Sequence, residues 1–498
     1  MRTFSPSLPG ILLALLAACG GGGGEQAAQQ QPTPPAPTTS FALLPGNQSN
    51  WEQFAASLSD NTTLLFGSFR TEIDLEMADA RTVSFGETGW GGAFLGRVDQ
   101  SGKMRWALQV ESTQGCRPLG LSPLPDESFV VALQFQSSIT LPSATGTPRT
   151  LRATRGTALA RYTAEGELVW ATLAHSGSTL DVYDLTAWAD GSAALCGRVR
   201  VTQTFGPGQA NETVLDGGTG RIDFVARFDA QGQIVFAQSL TDTEETEART
   251  CQAMPDGSLV VSGYYRVATA IGPVTLPLTD GAFFNGYLAR VTATGDVRWV
   301  RRIHGPTSNW ISQLGVSRDG RILAAGMFEG TVRLPGRGGE LELTPNFARR
   351  HGFFATLNAD GYVERVRAIG HSNFLGYLQF VELRDGGFAL AGTSRSITHL
   401  DNTNTIEGED PARLYQFLIR TDAAGDDLWV RMNGNGRDLR IHGLLEHPNG
   451  ALALVGSYNG AHVIDRGLPT ERSTREIGGN HYRTYYTQFH RDGTFGER

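Results

Sequence analysis

A short pattern returns seven times along this chain: an acidic or amide residue, a small apolar run, then glycine. The copies open at Asp60, Asp126, Asp190, Asp256, Asp319, Asp385 and Asn449, so successive starts lie 66, 64, 66, 63, 66 and 64 residues apart. Six copies close on Gly67, Gly197, Gly263, Gly326, Gly392 and Gly456, while the second has Leu133 in that place. A fixed period of this length marks an array of one supersecondary unit whose copies bury their apolar faces only against each other.

A second pattern alternates with the first: an aromatic or apolar pair, a basic residue, a turn glycine and then tryptophan. The basic position holds Arg97, Arg161, Arg227, Arg290 and Arg420, with Thr356 and Gln488 in the fifth and seventh copies. The tryptophan position holds Trp106, Trp170, Trp299 and Trp429, with Phe236 and Arg365 as departures. Each copy thus offers four strands, a to d, with Asp-Gly or x-Gly links at a–b and c–d, where glycine supplies positive φ for tight hairpins. The b strands are apolar on both faces and rich in Ala, Ser and Gly, as expected for a sheet stacked between neighbours near a crowded axis. These features predict an all-β chain, a closed seven-bladed β-propeller of four-stranded antiparallel blades over residues 41–498. The last copy stops five residues after Gly493, without a strand d. Phe41 stands 19 residues before Asp60, close to the 20 that separate the tryptophan position from the next Asp or Asn in every internal copy. The N-terminal strand at Phe41 is therefore expected to complete the last blade and remove the open edge.

Residues 1–18 read as a secretory signal, with Arg2 followed by the apolar stretch Ile11–Ala18. That stretch is too short to span a bilayer. Leu16-Ala17-Ala18-Cys19 has the form of a lipobox, which makes Cys19 the expected site of lipidation, with palmitate-class acyl chains as the membrane anchor. Residues 19–40, rich in Gly, Gln and Pro, carry too little apolar surface for a core and are expected to be a tether. Gly20 follows the acylated position where enteric lipoproteins kept at the inner membrane have Asp, which favours the outer membrane, on its periplasmic or surface face. The formal net charge is −8 and no basic block is present, which argues against nucleic acid as a partner. Lys103 is the only lysine. Beyond Cys19 the cysteines are Cys116, Cys196 and Cys251. Cys196 and Cys251 fall in consecutive copies, where they either face each other or act as small buried apolar residues.

The two patterns together resemble the seven-bladed propeller repeats of bacteria known as SBBP repeats, and the similar delta-60 repeats, over residues 41–498. With the lipobox, the chain resembles a bacterial lipoprotein carrying such repeats. The Gly-x-x-x-Trp element is also similar to the docking motif of quinoprotein-dehydrogenase propellers. The resemblance implies a fold rather than one activity.

In such a ring the d–a and b–c connections share the face where propellers usually bind ligands. The candidate rim there comprises Arg117, His175, Asp181, His304, Asn309, Trp310, His371 and Asn373. The three histidines come from different blades, too far apart for one ion, so no metal site is expected; solvated loop histidines are the plainer reading. Glu244, Glu245 and Glu247 form an acidic run in one d–a connection, but a glycosidase needs two carboxyls set across a cleft, which sequence cannot place. The chain carries no Gly-x-Ser-x-Gly elbow, His-Glu-x-x-His or phosphate-binding loop, and no catalytic residue or cofactor is assigned. The expected role is a non-enzymatic, lipid-anchored envelope scaffold or recognition module for a protein, peptide or glycan. The alternative is a carbohydrate-active or quinone-dependent propeller enzyme.

Overall fold

The computed structural model describes residues 41–44, 53–70, 72–86, 91–178, 180–241, 243–279, 281–344, 350–371, 375–395, 398–399, 405–406, 413–464, 472–473 and 483–493. The expected signal peptide, Cys19, the tether and Asn373 lie outside the described residues. Among the described residues all regular structure is β-strand, and the antiparallel sheets have a propeller-like arrangement.

The fourth repeat shows the unit most simply. Thr246–Ala253, Leu259–Tyr265, Asn285–Val291 and Val297–Ile303 pair antiparallel in that order and supply strands a to d. Gly257 (φ 81°) and Gly295 (φ 104°) turn the two hairpins. A bulge between Ala248 and Thr250 presses strand a onto strand b. A Cβ at Gly263 would there lie 2.1 Å from the Glu247 carbonyl oxygen. The same contact recurs at Gly197 on Asp181 (1.9 Å), Gly326 on Trp310 (2.3 Å) and Gly456 on Arg440 (2.4 Å). In these four copies the glycine that closes the first pattern is thus set by a backbone approach that no side chain tolerates.

Hydrogen bonding does not divide the repeats into seven separate sheets, as the sequence had suggested. The large sheets contain 12, 8, 6 and 4 strands among the described residues. In the second and third repeats, Phe129–Leu141, Arg149–Tyr162, Ala193–Phe205 and Thr213–Phe228 overhang the unit. Their ends pair with strand d of the preceding repeat at Glu111↔Thr140 and His175↔Phe205, which fuses three repeats into one sheet. The long edges satisfy their exposed backbone groups on a neighbour. Asp427–Glu446 runs unbroken from strand d of the sixth repeat into strand a of the seventh. Phe41–Leu44 pairs antiparallel with Arg483–Phe489, the c strand of the last repeat.

The a strands pack on one another in chain order. Gln53–Ser57 touches Cys116–Pro123, followed by Leu180–Ala187, Thr246–Ala253, Asn309–Val316, Leu375–Glu382 and Asp427–Glu446. Asp427–Glu446 in turn packs on Gln53–Ser57. Side chains interleave between repeats: Leu65, Phe94 and Met104 share a buried cluster with Ala453, Val455 and Tyr486. Cys196 and Cys251 are free thiols brought together in one buried cluster.

The second pattern is a clamp between neighbours. Arg97 donates from Nη2 to Asp60 (2.8 Å) of its own repeat and from Nη1 to the Ala164 carbonyl (3.3 Å) of the next. Arg290 does the same with Asp256 (2.7 Å) and the Ala359 carbonyl, and adds a bond from Nε to Ser258 Oγ (2.8 Å). Arg420 repeats the scheme on Asp385 and the Arg491 carbonyl. The tryptophans work in parallel. Trp106 Nε1 donates to Ala164 O (2.9 Å), Trp170 to Ala230 O (2.8 Å) and Trp429 to Arg491 O (3.1 Å), each across to the next repeat's c–d turn. Burial alone would raise Asp60 and Asp256, yet the hydrogen bonds from Thr62 or Ser258 and from the arginine hold both carboxyls near 2.

Removing a buried guanidinium strands its partners, whereas an exposed pair is worth little. Arg290→Ala is therefore expected to lower unfolding free energy by about 2–4 kcal/mol. Arg321→Ala, which removes a half-exposed partner of the exposed Asp319, should cost less than about 1 kcal/mol. Urea midpoints at constant m-value read both.

Candidate functional site

Of the eight predicted rim residues, Asn373 lies outside the described residues, and the structure places the others as follows. His175 lies in strand d of the second repeat and is buried, its Nε2 2.5 Å from Gln203 Oε1 and its ring 5.6 Å from Phe205. Burial lowers its pKa to about 4, so it is a neutral core group rather than a solvated loop histidine. His304 is also buried; Nε2 meets Glu340 Oε1 at 2.7 Å and Nδ1 meets Thr279 Oγ1 at 3.3 Å, and burial lowers its pKa as well. Asn309 is buried as a splice, accepting from Gly286 N (3.1 Å) and donating to Asn285 Oδ1 (3.3 Å). His371 ends Val363–His371 and pairs with His351 through the backbone. Arg117 is exposed on a separate pocket of about 230 Å³, beside Gln134 and Arg155. Among the described residues no cluster of three His, Cys, Asp or Glu side chains is placed to hold a metal ion.

Two of the eight, Asp181 and Trp310, border a different site. A polar cavity of about 400 Å³ opens between the third and fourth repeats, lined by Arg198, Arg221, Glu244, Glu245, Glu247 and Arg266, with Thr246 and Tyr264. Arg198 and Tyr264 directly follow the pattern glycines Gly197 and Gly263, where strand b rises to the face that carries the d–a connections. At the base, Arg198 Nη1 lies 3.3 Å from Glu247 Oε2, and Nη2 donates to the Glu244 carbonyl (2.6 Å). Tyr264 donates to Glu247 Oε2 (2.7 Å) and Arg249 pairs with Oε1 (2.5 Å). Asp181 binds Arg200 at 2.8 Å on one border. On the other, Phe284 links Tyr264 (4.9 Å) to Trp310 (5.2 Å) in an aromatic run.

Behind this layer sits Asp223, fully buried, accepting from Tyr287 (3.1 Å) and 3.9 Å from Arg198 Nε. Its Oδ1 and Arg198 Nε have no hydrogen-bond partner among the described residues. Burial pushes the Asp223 carboxyl up to about 7, against the pull of a backbone hydrogen bond and Arg198. Burial and Glu247 raise the Tyr264 hydroxyl. Glu247 has both oxygens held, Oε2 by Arg198 and Tyr264 and Oε1 by Arg249. The lining carries three arginines and three glutamates, which suits a polar ligand of mixed charge over a simple anion.

The acidic run was visible in the sequence as a charged loop. Its arginine partners were not, because Arg198, Arg221 and Arg266 come from other strands. Only Arg198 carried a signal, its position just after the pattern glycine Gly197; Arg221 lies in Thr213–Phe228 and Arg266 just past strand b.

No family model matches the chain, and no curated protein matches it. Among solved structures it is similar to a protein of unknown function from Dyadobacter fermentans at 12% identity (74% of this chain, 96% of that one, TM-score 0.36). It is similar to YCF48 bound to D1 peptide at 10% identity (81% and 98%, TM-score 0.35). It is similar to the GH43 protein BlXynB of Bacillus licheniformis at 9% identity (92% and 96%, TM-score 0.25). Likeness at this level says nothing about activity.

Asp223 gives the site a pH signature. Its folded pKa, about 7, lies above the ordinary value of 3.8, so its stabilising contribution is complete below pH 3.8 and is lost as pH rises through 7. Asp223→Asn, which keeps an acceptor for Tyr287 without the charge, should match the parent near pH 4 and exceed it by on the order of 3 kcal/mol at pH 8. Parallel denaturant titrations at the two pH values measure the difference.

Proposed function

We propose that this chain is a non-enzymatic recognition module of the bacterial envelope: a closed seven-bladed propeller held at the outer membrane by lipidated Cys19 and binding a polypeptide of mixed charge. The closed ring is supported by the cyclic order of a-strand contacts, from Gln53–Ser57 through every repeat and back. It is also supported by bonds between last and first repeats: His447 Nδ1 lies 2.9 Å from Ser57 Oγ, and Asn449 N donates to Asn61 Oδ1 (2.9 Å). The anchor rests on the lipobox at Leu16–Cys19 and the low-complexity tether behind it.

The observation that carries the binding role is the charge-balanced cavity between the third and fourth repeats. Arg198 and Glu247 lock each other at its base, while Arg221, Glu244, Glu245 and Arg266 stay at its mouth. Such a lining makes paired contacts to a chain presenting both signs and supplies no unengaged acid pair at its base for hydrolysis.

Cross-linking mass spectrometry on cells producing the lipidated protein tests this. The reagent must couple carboxylates, since Lys103 is the single lysine. The expected result is a set of links from Glu244 and Glu245 to one defined envelope protein, reduced at least about tenfold in an Arg221→Glu/Arg266→Glu variant. Links spread over both faces, or unchanged in the variant, would sink the proposal. Cys19→Ser should abolish fatty-acid labelling.

A further inference from the structure

The fifth repeat breaks the clamp at both positions, and the gap has a shape. In five c–d turns the turn glycine is covered by a ring from the preceding repeat: Gly166 by Trp106, Gly232 by Trp170, Gly295 by Phe236, Gly361 by Trp299 and Gly493 by Trp429. A Cβ on Gly232, Gly361 or Gly493 would meet the indole at 2.8, 2.6 or 2.7 Å, so the glycine is the floor of a seat for the ring. In three of these seats the indole N–H donates to the carbonyl two residues before the glycine, at Ala164, Ala230 or Arg491.

Gly425 is the exception: around its missing Cβ, among the described residues, no atom beyond its chain neighbours lies within 4 Å. The residue that would cover it is Arg365, which turns its Nη1 to the carbonyls of Ala424 (2.5 Å) and Ala423 (3.3 Å). Thr356 stands where a clamp arginine would be, and its Oγ1 is buried without a hydrogen-bond partner among the described residues. Two large side chains are thus replaced at one junction. A cavity of about 450 Å³ lies there, lined by Phe354, Thr356, Arg365, Phe388, Leu390 and Gly425 among others. Its size falls within the range of small-molecule sites, and its walls are mainly apolar.

We propose that this junction is a vacated tryptophan seat that binds an indole ring supplied from outside the chain. The ring lies over Gly425 as Trp429 lies over Gly493, and its N–H donates to the Ala423 carbonyl, two residues before the glycine, displacing the long bond from Arg365 Nη1, which keeps its bond to Ala424. The floor, the acceptor and the apolar walls are built by the sixth repeat and the fifth. Only the ring is foreign, arriving as a free indole or as a tryptophan side chain.

The test uses the full chain, titrated by calorimetry with indole, N-acetyltryptophanamide, 1-methylindole and guanidinium. Saturable binding of indole or of the capped tryptophan is expected, and whichever binds tighter identifies the source of the ring. 1-Methylindole, which lacks the donor, should bind more weakly. Arg365→Trp returns the chain's own ring to the seat and should weaken binding at least about tenfold while raising Tm. Thr356→Arg, filling the same space from strand c, is the second blocking variant. The proposal is overturned if neither indole compound binds the parent chain, if both blocking variants bind as the parent does, or if guanidinium alone binds.

Discussion

The contact on which the rest of the structure depends is the hand-over between neighbouring repeats: an arginine held by its own Asp and by the next repeat's turn carbonyl, beside an indole bonded to the same turn. Arg97 with Trp106, and Arg420 with Trp429, each fasten two repeats at one backbone turn. Such bonds are short-range, directional and shielded, so they fix the angle between sheets where apolar packing alone would leave it free. Where the motif fails, neighbouring residues take over. Phe236 has no N–H, and Gln238 donates to the Gly295 carbonyl instead. Arg365 replaces the indole donor with a guanidinium.

Close packing imposes the second constraint. Residues 285–291, 322–328 and 351–357 bury every side chain, because both faces of these sheets are covered. Room for that stacking is made by glycine at the strand b position where the strand a bulge intrudes. The price of this regularity is that polar groups meet at the sheet junctions, where they must find partners away from water. Asp184 shows the solution: half-buried, it accepts from Thr250 Oγ1 (2.8 Å) and Cys251 N (3.0 Å) of the next repeat, and burial raises its carboxyl to about 6.

The charged cavity and the open seat are departures from these two rules. At the junction of the third and fourth repeats the polar groups exceed what the sheets can satisfy, leaving Asp223 Oδ1 and Arg198 Nε orphaned among the described residues, beneath a lining of opposed charges. At the junction of the fifth and sixth, the clamp residues are missing and space remains. Both features sit between repeats, not within one, since a single four-stranded unit encloses no volume.

The sequence by itself determined the unit. Period, turn glycines and alternating strand composition are local, so four strands per repeat, the pairing at Phe41 and the all-β class could be read from it. It also flagged Thr356 and Arg365 as departures, without saying that they share one cavity. Only the tertiary structure decided how the sheets merge, because the overhanging ends of Phe129–Leu141 and Ala193–Phe205 choose partners across repeats. It likewise decided that His175 and Asn309 are core groups, while Glu244–Glu247 face Arg198 and Arg221 of the preceding repeat. Burial and charge pairing are properties of neighbours in space, and a repeat period fixes only neighbours along the chain.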